Sequence, residues 1–238
     1  MPLKDWLNTP EIVRLKAMSN NKLTHEMFWR NPLRTMWCNR ELFGSPADGT
    51  ITTQGRFDAD ADMIDVKGLQ IAPNDLLGPH KIDGPAMVIA IFMSYLDCHW
   101  NRCPTECQIQ RFPLPPLRTG NVPMLSTEEG LLDDGLIKPG TMAHMKFNGR
   151  VVNKCFAGHM RYTYYIVQIA DSDVSKIVPI DPEVVSYPQN DRFGQIIYGS
   201  MNVLILPLDK RFRFRPLCKI GDHVESANDA IVKVERAG

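Results

Sequence analysis

The chain has 238 residues, 44% of them hydrophobic, which is enough for one sizeable core. Its 27 basic and 27 acidic residues leave a formal net charge of zero. No overall field therefore attracts the chain to nucleic acid, and we expect no nucleic-acid partner. The 18 prolines and 16 glycines are spread along the whole length, which favours strands and loops over a helical bundle.

The first predicted element is a short amphipathic helix inside an N-terminal helical segment, residues 1–42. Thr9 is a favourable N-cap, Pro10 suits the first helical position, and Glu11 places an acid in the first turn. Apolar residues then follow at helical spacing: Ile12, Val13, Leu15 and Met18. We expect this helix to pack on its own domain rather than lie on a membrane.

From Phe43 onward the pattern predicts short strands separated by Gly, Pro, Asp and Asn, so residues 43–238 form a mainly β, α+β domain. The apolar run 86–93 is much shorter than the roughly 20 residues of a membrane span and predicts a buried strand. Residues 113–140 are rich in Pro, Gly and acids and predict a long loop. The candidate strands are 49–53, 63–67, 86–95, 106–111, 142–147, 162–169, 175–179, 195–198, 202–206 and 230–235.

The C-terminal segment 219–235 has two apolar stretches on either side of a polar turn. This pattern is similar to the strand–turn–strand of lipoyl and biotinyl domains, which carry a modified lysine at the tip of a hairpin. The turn here is Glu-Ser-Ala-Asn-Asp, at 225–229, and contains no lysine. We therefore predict a structural hairpin and no cofactor-carrying arm.

The six cysteines are interpreted as free thiols in a reducing cytosol. None forms a C-x-x-C pair, and Asp5, Glu11 and Arg14 interrupt the start of the chain where a secretory signal would lie. We expect no metal. The alternative is a zinc site, whose spacing fits no common ligand pattern, made of Cys98, His99, Cys103 and Cys107.

The most informative feature is the dipeptide Gly199–Ser200, which lies between two β-prone runs. The Ser200 hydroxyl can attack the Gly199 carbonyl, and elimination from the resulting ester leaves a pyruvoyl group. That carbonyl is an electron sink of the kind that amino-acid decarboxylation requires. The dipeptide alone also fits a bulge or a tight turn between strands.

Two further segments place reactive side chains next to predicted strands. Asp48 precedes a glycine that leads into a strand, although an aspartate there can also satisfy its own turn. Asp97 and His99 follow the buried run, and in an extended segment their side chains point to the same face. A carboxylate beside an imidazole raises its pKa and fixes its tautomer, as a general base requires. A histidine at a strand end also serves as a polar cap.

These residues fall in blocks that resemble, in order, those of the short-form phosphatidylserine decarboxylases. The family patterns are F-F-R-D-P-x-R, S-P-A-D-G, V-K-G with L-L-G, D-x-H-x-N-R-x-P, V-Q-I-A-G with R-I-V, and R-F-G-x-I-x-F-G-S. The matching segments are FWRNPLR (28–34), SPADG (45–49), VKG (66–68) with LLG (76–78), DCHWNRCP (97–104), VQIA (167–170) with KIV (176–178), and RFGQIIYGS (192–200). The resemblance covers nearly the whole chain and implies that family's β-sandwich or barrel-sandwich fold.

The resemblance also implies that the chain processes itself. Cleavage is expected between Gly199 and Ser200, with Ser200 becoming the covalent pyruvoyl cofactor. Residues 200–238 would then be the small subunit, held to the rest by strand pairing.

The remaining site residues are likewise implied by the resemblance. His99 would be the acid/base residue, and Asp48 and Asp97 would orient it, tune its charge or support maturation. Asn101 and Arg102 would bind the substrate. The family's N-E-R-N block falls on residues 153–156, Asn-Lys-Cys-Phe, so its glutamate and arginine are replaced.

Three functions stay open at this point. The first is decarboxylation of phosphatidylserine, or a related amino-acid headgroup lipid, to phosphatidylethanolamine and carbon dioxide. The second is decarboxylation of a soluble, for example aromatic, amino acid, and the third is a non-maturing homologue that binds or scaffolds. The expected location is cytoplasmic with peripheral membrane contact, and the chain is compatible with a homo-oligomer. Arg211, Arg213 and Arg215 share one face of a predicted strand, which could meet lipid phosphate or only solvent.

Overall fold

The computed structural model describes residues 1–66, 69–120, 145–170, 177–197 and 201–237. Strands dominate this part of the chain, helices are few and short, and the strands pair antiparallel. The prediction of a mainly β, α+β fold is confirmed.

The helices lie mostly at the N-terminus. They are α1 Leu3–Trp6, α2 Pro10–Lys16, α3 Asn20–Lys22, a π-helical turn Leu23–Met27, and α4 Pro73–Leu77. The helix predicted after Thr9 is confirmed as α2, with Pro10 in its first turn and Thr9 extended at the N-cap position. The Thr9 hydroxyl donates to the Trp6 carbonyl at 2.9 Å and makes no side-chain cap hydrogen bond.

The strands are β1 Leu42–Gly44, β2 Gly49–Asp58, β3 Ile64–Val66, β4 Leu69–Ile71, β5 Pro85–Phe92, β6 Trp100–Arg102, β7 Cys107–Gly120, β8 Met145–Ala157, β9 Tyr162–Ile169, β10 Ile177–Pro179, β11 Ser186–Tyr187, β12 Arg192–Ile196, β13 Met201–Pro207, β14 Phe212–Pro216, β15 His223–Val224 and β16 Ala230–Arg236. Eight of them form one large sheet in the order β11-β7-β8-β9-β13-β5-β2-β15. The smaller sheets are β1-β16-β14, β10-β12-β6 and β3-β4.

The strand β13 lies inside the large sheet, between β9 and β5. Met201, its first residue, is opposite Ile169 of β9 and Phe92 of β5. The strand predicted from the apolar run 86–93 is confirmed as β5. Both β5 and β13 are almost entirely buried, which explains why their sequences are continuously apolar.

Side chains alternate between the two faces of the large sheet and fill two cores. On one face, Leu204 and Leu206 pack in a core with residues of the two three-stranded sheets, as in a β-sandwich. On the other face, Val203 and Ile205 share a core with the N-terminal helices, including Trp6. Because both faces of the large sheet are covered, β13 lies between two cores.

The prediction of a loop over 113–140 is wrong for its first part. Residues 113–120 continue β7 and pair with β8. The register shifts between Leu114 and Leu117, so the two prolines between them fall at a bulge, where a missing N–H costs no ladder bond. Residues 121–144 lie outside the described part of the chain.

The strand predicted at 142–147 is too short. β8 runs on to Ala157 because it is paired along its length by β7 on one side and β9 on the other. The extension contains polar residues such as Asn153. Asn153 is nevertheless fully buried, since its side chain finds partners inside the sandwich.

The predicted hairpin over 219–235 is wrong. β15 pairs with β2 in the large sheet, whereas β16 pairs with β1 and β14 in a smaller one. The turn between them therefore crosses from one sheet to the other. Ala227 in this turn has a φ of 64°, a conformation that favours glycine. This crossing turn, residues 225–229, becomes important in the site.

Candidate active site before the central strand

Gly199 and Ser200 lie outside the described residues, so the site is built from the residues around them. On one side the chain is described to Ile197, just after β12, and on the other it resumes at Met201, the start of β13. Met201 is buried and its backbone is paired on both sides. Of the residues that sequence analysis singled out, His99 is hydrogen-bonded to Ile196 of β12, and Asn101 contacts the same Met93 sulfur as Asn202 of β13.

His99 lies just before β6 and is fully buried. Its ring packs on Phe28, with ring centroids 3.8 Å apart, and its backbone N–H donates to the Phe28 carbonyl at 2.9 Å. Its carbonyl accepts from the N–H of Ile196, four residues before Ser200, at 3.4 Å. The segment holding His99 is thus fixed both to the N-terminal block and to the strand that leads to the predicted cleavage bond.

Asp97 is buried and its carboxylate is fully occupied. Oδ2 accepts from the Ser94 backbone N–H at 2.6 Å and from the Ser94 hydroxyl at 2.8 Å. Oδ1 lies 2.7 Å from Nε2 of His223, which must carry the proton because a carboxylate only accepts. Burial works to raise the pKa of Asp97, but His223 and Ser94 outweigh it and the pKa is lowered.

The prediction that Asp97 and His99 lie in an extended segment and point to the same face is wrong. Residues 95–97 turn between β5 and β6, so the alternation of a strand does not apply to them. The turn is held by Ser94, whose hydroxyl also accepts from the Leu96 N–H at 3.2 Å. Asp97 is therefore directed to a histidine that lies 126 residues further along the chain.

Asp48 is the second buried carboxylate. Its Oδ2 forms an ion pair with Nη2 of Arg34, and its Oδ1 accepts from both the N–H and the hydroxyl of Ser226 at 2.8 Å. Arg34 also pairs with Glu225, at 2.6 Å. Burial raises the pKa of Asp48, with Arg34 opposing and the nearby charge of Asp97 adding to the rise.

His223, Glu225 and Ser226 are site residues that sequence analysis missed. They belong to β15 and the crossing turn, which sequence analysis interpreted only as part of a structural hairpin. His223 is buried and stacks on Trp6, with ring centroids 3.6 Å apart. No local signal in the sequence predicted this, since both partners of His223 come from distant segments.

The two predicted substrate-binding residues lie on β6. The Asn101 side chain accepts from Gln168 at 2.6 Å, and Gln168 accepts from Asn153 at 2.9 Å. Asn202 lies opposite Gln168 on β13, donates to the Met93 sulfur at 3.2 Å, and its Oδ1 is buried without a partner among the described residues. Four buried amides thus meet where β13 begins, and sequence analysis identified only Asn101.

Arg102 is buried too. Its Nη1 donates to the carbonyl of Asn190 at 2.7 Å and touches the Met36 sulfur. Burial, together with the neighbouring Arg192, lowers the pKa of the Arg102 guanidinium. The charge of Arg34, the partner of Asp48, also lowers the pKa of Arg102.

The four residues of the alternative zinc site are not arranged around one point. Cys98 directs its sulfur to the carbonyls of Phe28 and Arg30, whereas Cys103 and Cys107 are buried in the core between the sheets. Within the described ranges, no group of three or more His, Cys, Asp or Glu side chains could hold a metal ion. All six cysteines lie in this part and are free thiols.

The fold and the site together define a mainly β protein in which two buried carboxylates hold the segment that follows a Gly-Ser bond. Comparison with known proteins gives the family. The model of the phosphatidylserine decarboxylase family matches residues 25–232, and the chain belongs to that family.

Individual relatives are similar at modest identity. Phosphatidylserine decarboxylase proenzymes are 30% identical over 113 residues in Rhodospirillum rubrum, 28% over 185 in Azorhizobium caulinodans and 27% over 195 in Beijerinckia indica. These alignments cover 48%, 78% and 82% of this chain. They span only 39%, 64% and 67% of those relatives' own lengths. Among the residues with described structure, no helix has the length and apolar character needed to cross a bilayer.

Proposed function

We propose that this chain is a self-processing, pyruvoyl-dependent decarboxylase that converts phosphatidylserine, or a related amino-acid headgroup lipid, to phosphatidylethanolamine and carbon dioxide. One observation supports this most strongly. Asp48 and Asp97, which precede the Gly199–Ser200 bond, each bind a residue that follows it, Ser226 and His223.

That arrangement is what a chain needs if it is to be cut and stay folded. Residues 1–199 and 200–238 would be the two fragments. They would be held together by β13, which is paired on both sides, by β16 against β1, and by the two buried contacts of the crossing turn and β15.

We likewise propose that the chain is divided into a helical segment, residues 1–42, and a decarboxylase domain, residues 43–238.

Maturation would begin with attack of the Ser200 hydroxyl on the Gly199 carbonyl carbon, with His99 accepting the hydroxyl proton. The peptide C–N bond breaks as the ester C–O bond forms, and the proton goes to the departing amine. Elimination would then remove the α-proton of residue 200 and break its Cβ–O ester bond, which releases the Gly199 carboxylate. Water would supply the carbonyl oxygen at the α-carbon as the nitrogen leaves as ammonia. Asp97, with a lowered pKa, would keep its charge and hold His223 throughout.

The amides at the start of β13 support the proposal of a pyruvoyl group. Asn202 has a buried amide oxygen without a partner among the described residues, and the Asn101 amide nitrogen meets only the Met93 sulfur, at 4.0 Å, a weak acceptor. We propose that these two amides would hold the group and the substrate's polar atoms. When formed, the group would supply the carbonyl that condenses with the substrate amine and accepts the electrons of the lost carboxylate.

His99 would act again in turnover by returning a proton to the substrate's α-carbon. Its position supports this role, because Phe28 fixes the ring and Ile196 fixes the backbone next to β12. Peripheral contact with a membrane in the cytoplasm and assembly as a homo-oligomer remain part of the proposal.

The test of processing is electrophoresis with intact-mass measurement. Wild-type protein should yield two fragments, 1–199 and 200–238, with the smaller one carrying a pyruvoyl group in place of an amine. Ser200→Ala should give a single uncut chain, whereas the matched control Ser186→Ala, at an exposed serine on β11, should be cut as the wild type is. A single band in correctly folded wild-type protein would contradict the proposal.

The non-maturing alternative is favoured by one observation, the changed N-E-R-N block. Lys154, Cys155 and Phe156 occupy its altered positions; Cys155 is buried in the core between the sheets and Phe156 is exposed. The same electrophoresis decides between the two. Release of carbon dioxide from phosphatidylserine vesicles, compared with free amino acids, then separates the lipid substrate from a soluble one.

A further inference from the structure

A cleft with a volume of about 580 Å³ opens next to the site. Its walls come from residues 31–36, from Arg102 on β6, and from Asp191 and Arg192. Arg34, the ion-pair partner of Asp48, forms part of the wall, so the cleft reaches the carboxylate region of the site.

Three guanidinium groups line this cleft, and only one is neutralised. Arg34 is paired with Asp48 and Glu225. Neither Arg102 nor Arg192 has a carboxylate within 4 Å in the described part of the chain. A single further acid, Asp191, lines the cleft without reaching either of them.

Arg102 and Arg192 are nevertheless held in place by neutral groups. Arg102 donates to the Asn190 carbonyl, and Arg192 donates to the Asn31 side chain while its guanidinium lies over the Trp100 ring, 4.5 Å from the centroid. Fixing two like charges side by side in a half-buried cleft is unfavourable unless an anion joins them. The lowered pKa of Arg102 has that cause, burial first and Arg192 second.

We propose that this cleft binds the phosphate ester group of a ligand, with Arg102 and Arg192 as the donors. A guanidinium presents a planar fork of N–H groups, and a phosphate has enough oxygens to satisfy two forks at once. This deepens the proposed function, on which it rests, because it adds a phosphate-binding position to an amino-acid decarboxylase.

The rim of the cleft indicates where such a phosphate ester would come from. Leu33 is 98% exposed and Met36 is 50% exposed, and both line the cleft. An apolar rim around a cationic cleft suits a lipid headgroup whose acyl chains stay in the membrane, whereas a free phosphate ester needs no rim.

The experiment uses Ser200→Ala protein, which cannot process itself, so binding is measured apart from catalysis. Glycerophosphoserine and inorganic phosphate are titrated by calorimetry against this protein and against the same protein with Arg192→Gln or Arg102→Gln. We expect each substitution to weaken glycerophosphoserine binding by about tenfold or more, since a charge-assisted bidentate contact is lost. Arg213→Gln, a similarly substituted arginine exposed on β14, is the matched control and should leave the affinity unchanged.

Unchanged affinity in folded Arg192→Gln protein, or an equal loss in Arg213→Gln, would overturn the phosphate site. Arg192 is half-buried, so its variant keeps the test valid if Arg102→Gln does not fold. Cleavage of the wild-type chain and release of carbon dioxide from phosphatidylserine vesicles are measured separately, so failure of the phosphate site is distinguished from failure of the proposed function.

The source of the phosphate is decided with vesicles. If it is a lipid headgroup, Leu33→Asp should weaken binding to phosphatidylserine vesicles and leave glycerophosphoserine binding intact. Vesicle binding insensitive to Leu33→Asp, together with intact glycerophosphoserine binding, supports the phosphate site with a free ester as its ligand.

Discussion

Asp48 and Asp97 are buried to the same degree, and each accepts hydrogen bonds from the C-terminal segment, yet their surroundings act in opposite directions. Asp97 has a histidine and the two donors of Ser94, and its pKa is lowered. Burial raises the pKa of Asp48; Arg34 and Ser226 oppose that rise, but the acids Asp97 and Glu225 add to it, and the pKa stays raised. Burial alone therefore does not decide the charge of a carboxylate. The balance of donors against neighbouring acids decides it.

The largest effect is expected from Arg34→Gln in the Ser200→Ala background. Asp48 would be left buried without its cation, and removal of one partner from a buried pair costs about 3–5 kcal/mol. Urea unfolding measures this loss. The control is Glu106→Gln in the exposed Arg40–Glu106 pair, where a change of about 1 kcal/mol or less is expected. Equal losses of unfolding free energy in the two variants would contradict the larger cost expected for breaking the buried pair.

A smaller loss is expected from His223→Gln, which removes the charge-assisted bond to Asp97 but keeps a donor of similar reach. Asp97 retains its two bonds from Ser94, so the free energy of unfolding should fall by about 1.5–3 kcal/mol. In processed wild-type protein the same substitution should release the 200–238 fragment at a lower urea concentration, read by gel filtration. A fragment that stays bound as firmly as before would contradict the role of this contact.

The two carboxylates should give opposite pH slopes. The folded pKa of Asp97 lies below its unfolded value near 3.8, so the stability it contributes is present above that pH and is lost as pH falls through the folded pKa. The folded pKa of Asp48 lies above 3.8, so the folded state binds more protons and stability falls as pH rises through that window. The free energy of unfolding is measured across acid pH. Asp97→Asn should remove the increase in stability with rising pH, and Asp48→Asn should remove the decrease. Identical profiles in the two variants would refute the contrast.

The smallest effect is expected in the crossing turn. Ala227 has a φ of 64°, which glycine adopts without strain, so Ala227→Gly should raise the free energy of unfolding by about 0.5–1 kcal/mol. Thermal unfolding is a sufficient measurement. The control is Ala61→Gly, at an exposed alanine without a positive φ. It should lower the free energy of unfolding, because glycine there only increases the conformational entropy of the unfolded chain.

Much of the fold could be predicted where the signal is local. The capping residues around Thr9 predicted α2, and the apolar run from Ala86 predicted β5. β8 could not be predicted to its full length, because its polar Asn153 belongs in a strand only when Gln168 and the Ile166 carbonyl lie across from it. The bulge that fits the prolines of β7 likewise depends on its partner strand.

The sequence by itself determined the blocks, their order and therefore the family, since these depend on residue types at fixed spacing along one chain. It also identified Asp48, Asp97 and His99 as candidate site residues. Only the tertiary structure decided what those residues bind: Asp97 meets His223 across 126 residues and Asp48 meets Ser226 across 178. Such contacts form when strands from distant parts of the chain pair and bring their ends together, and no local pattern encodes that distance.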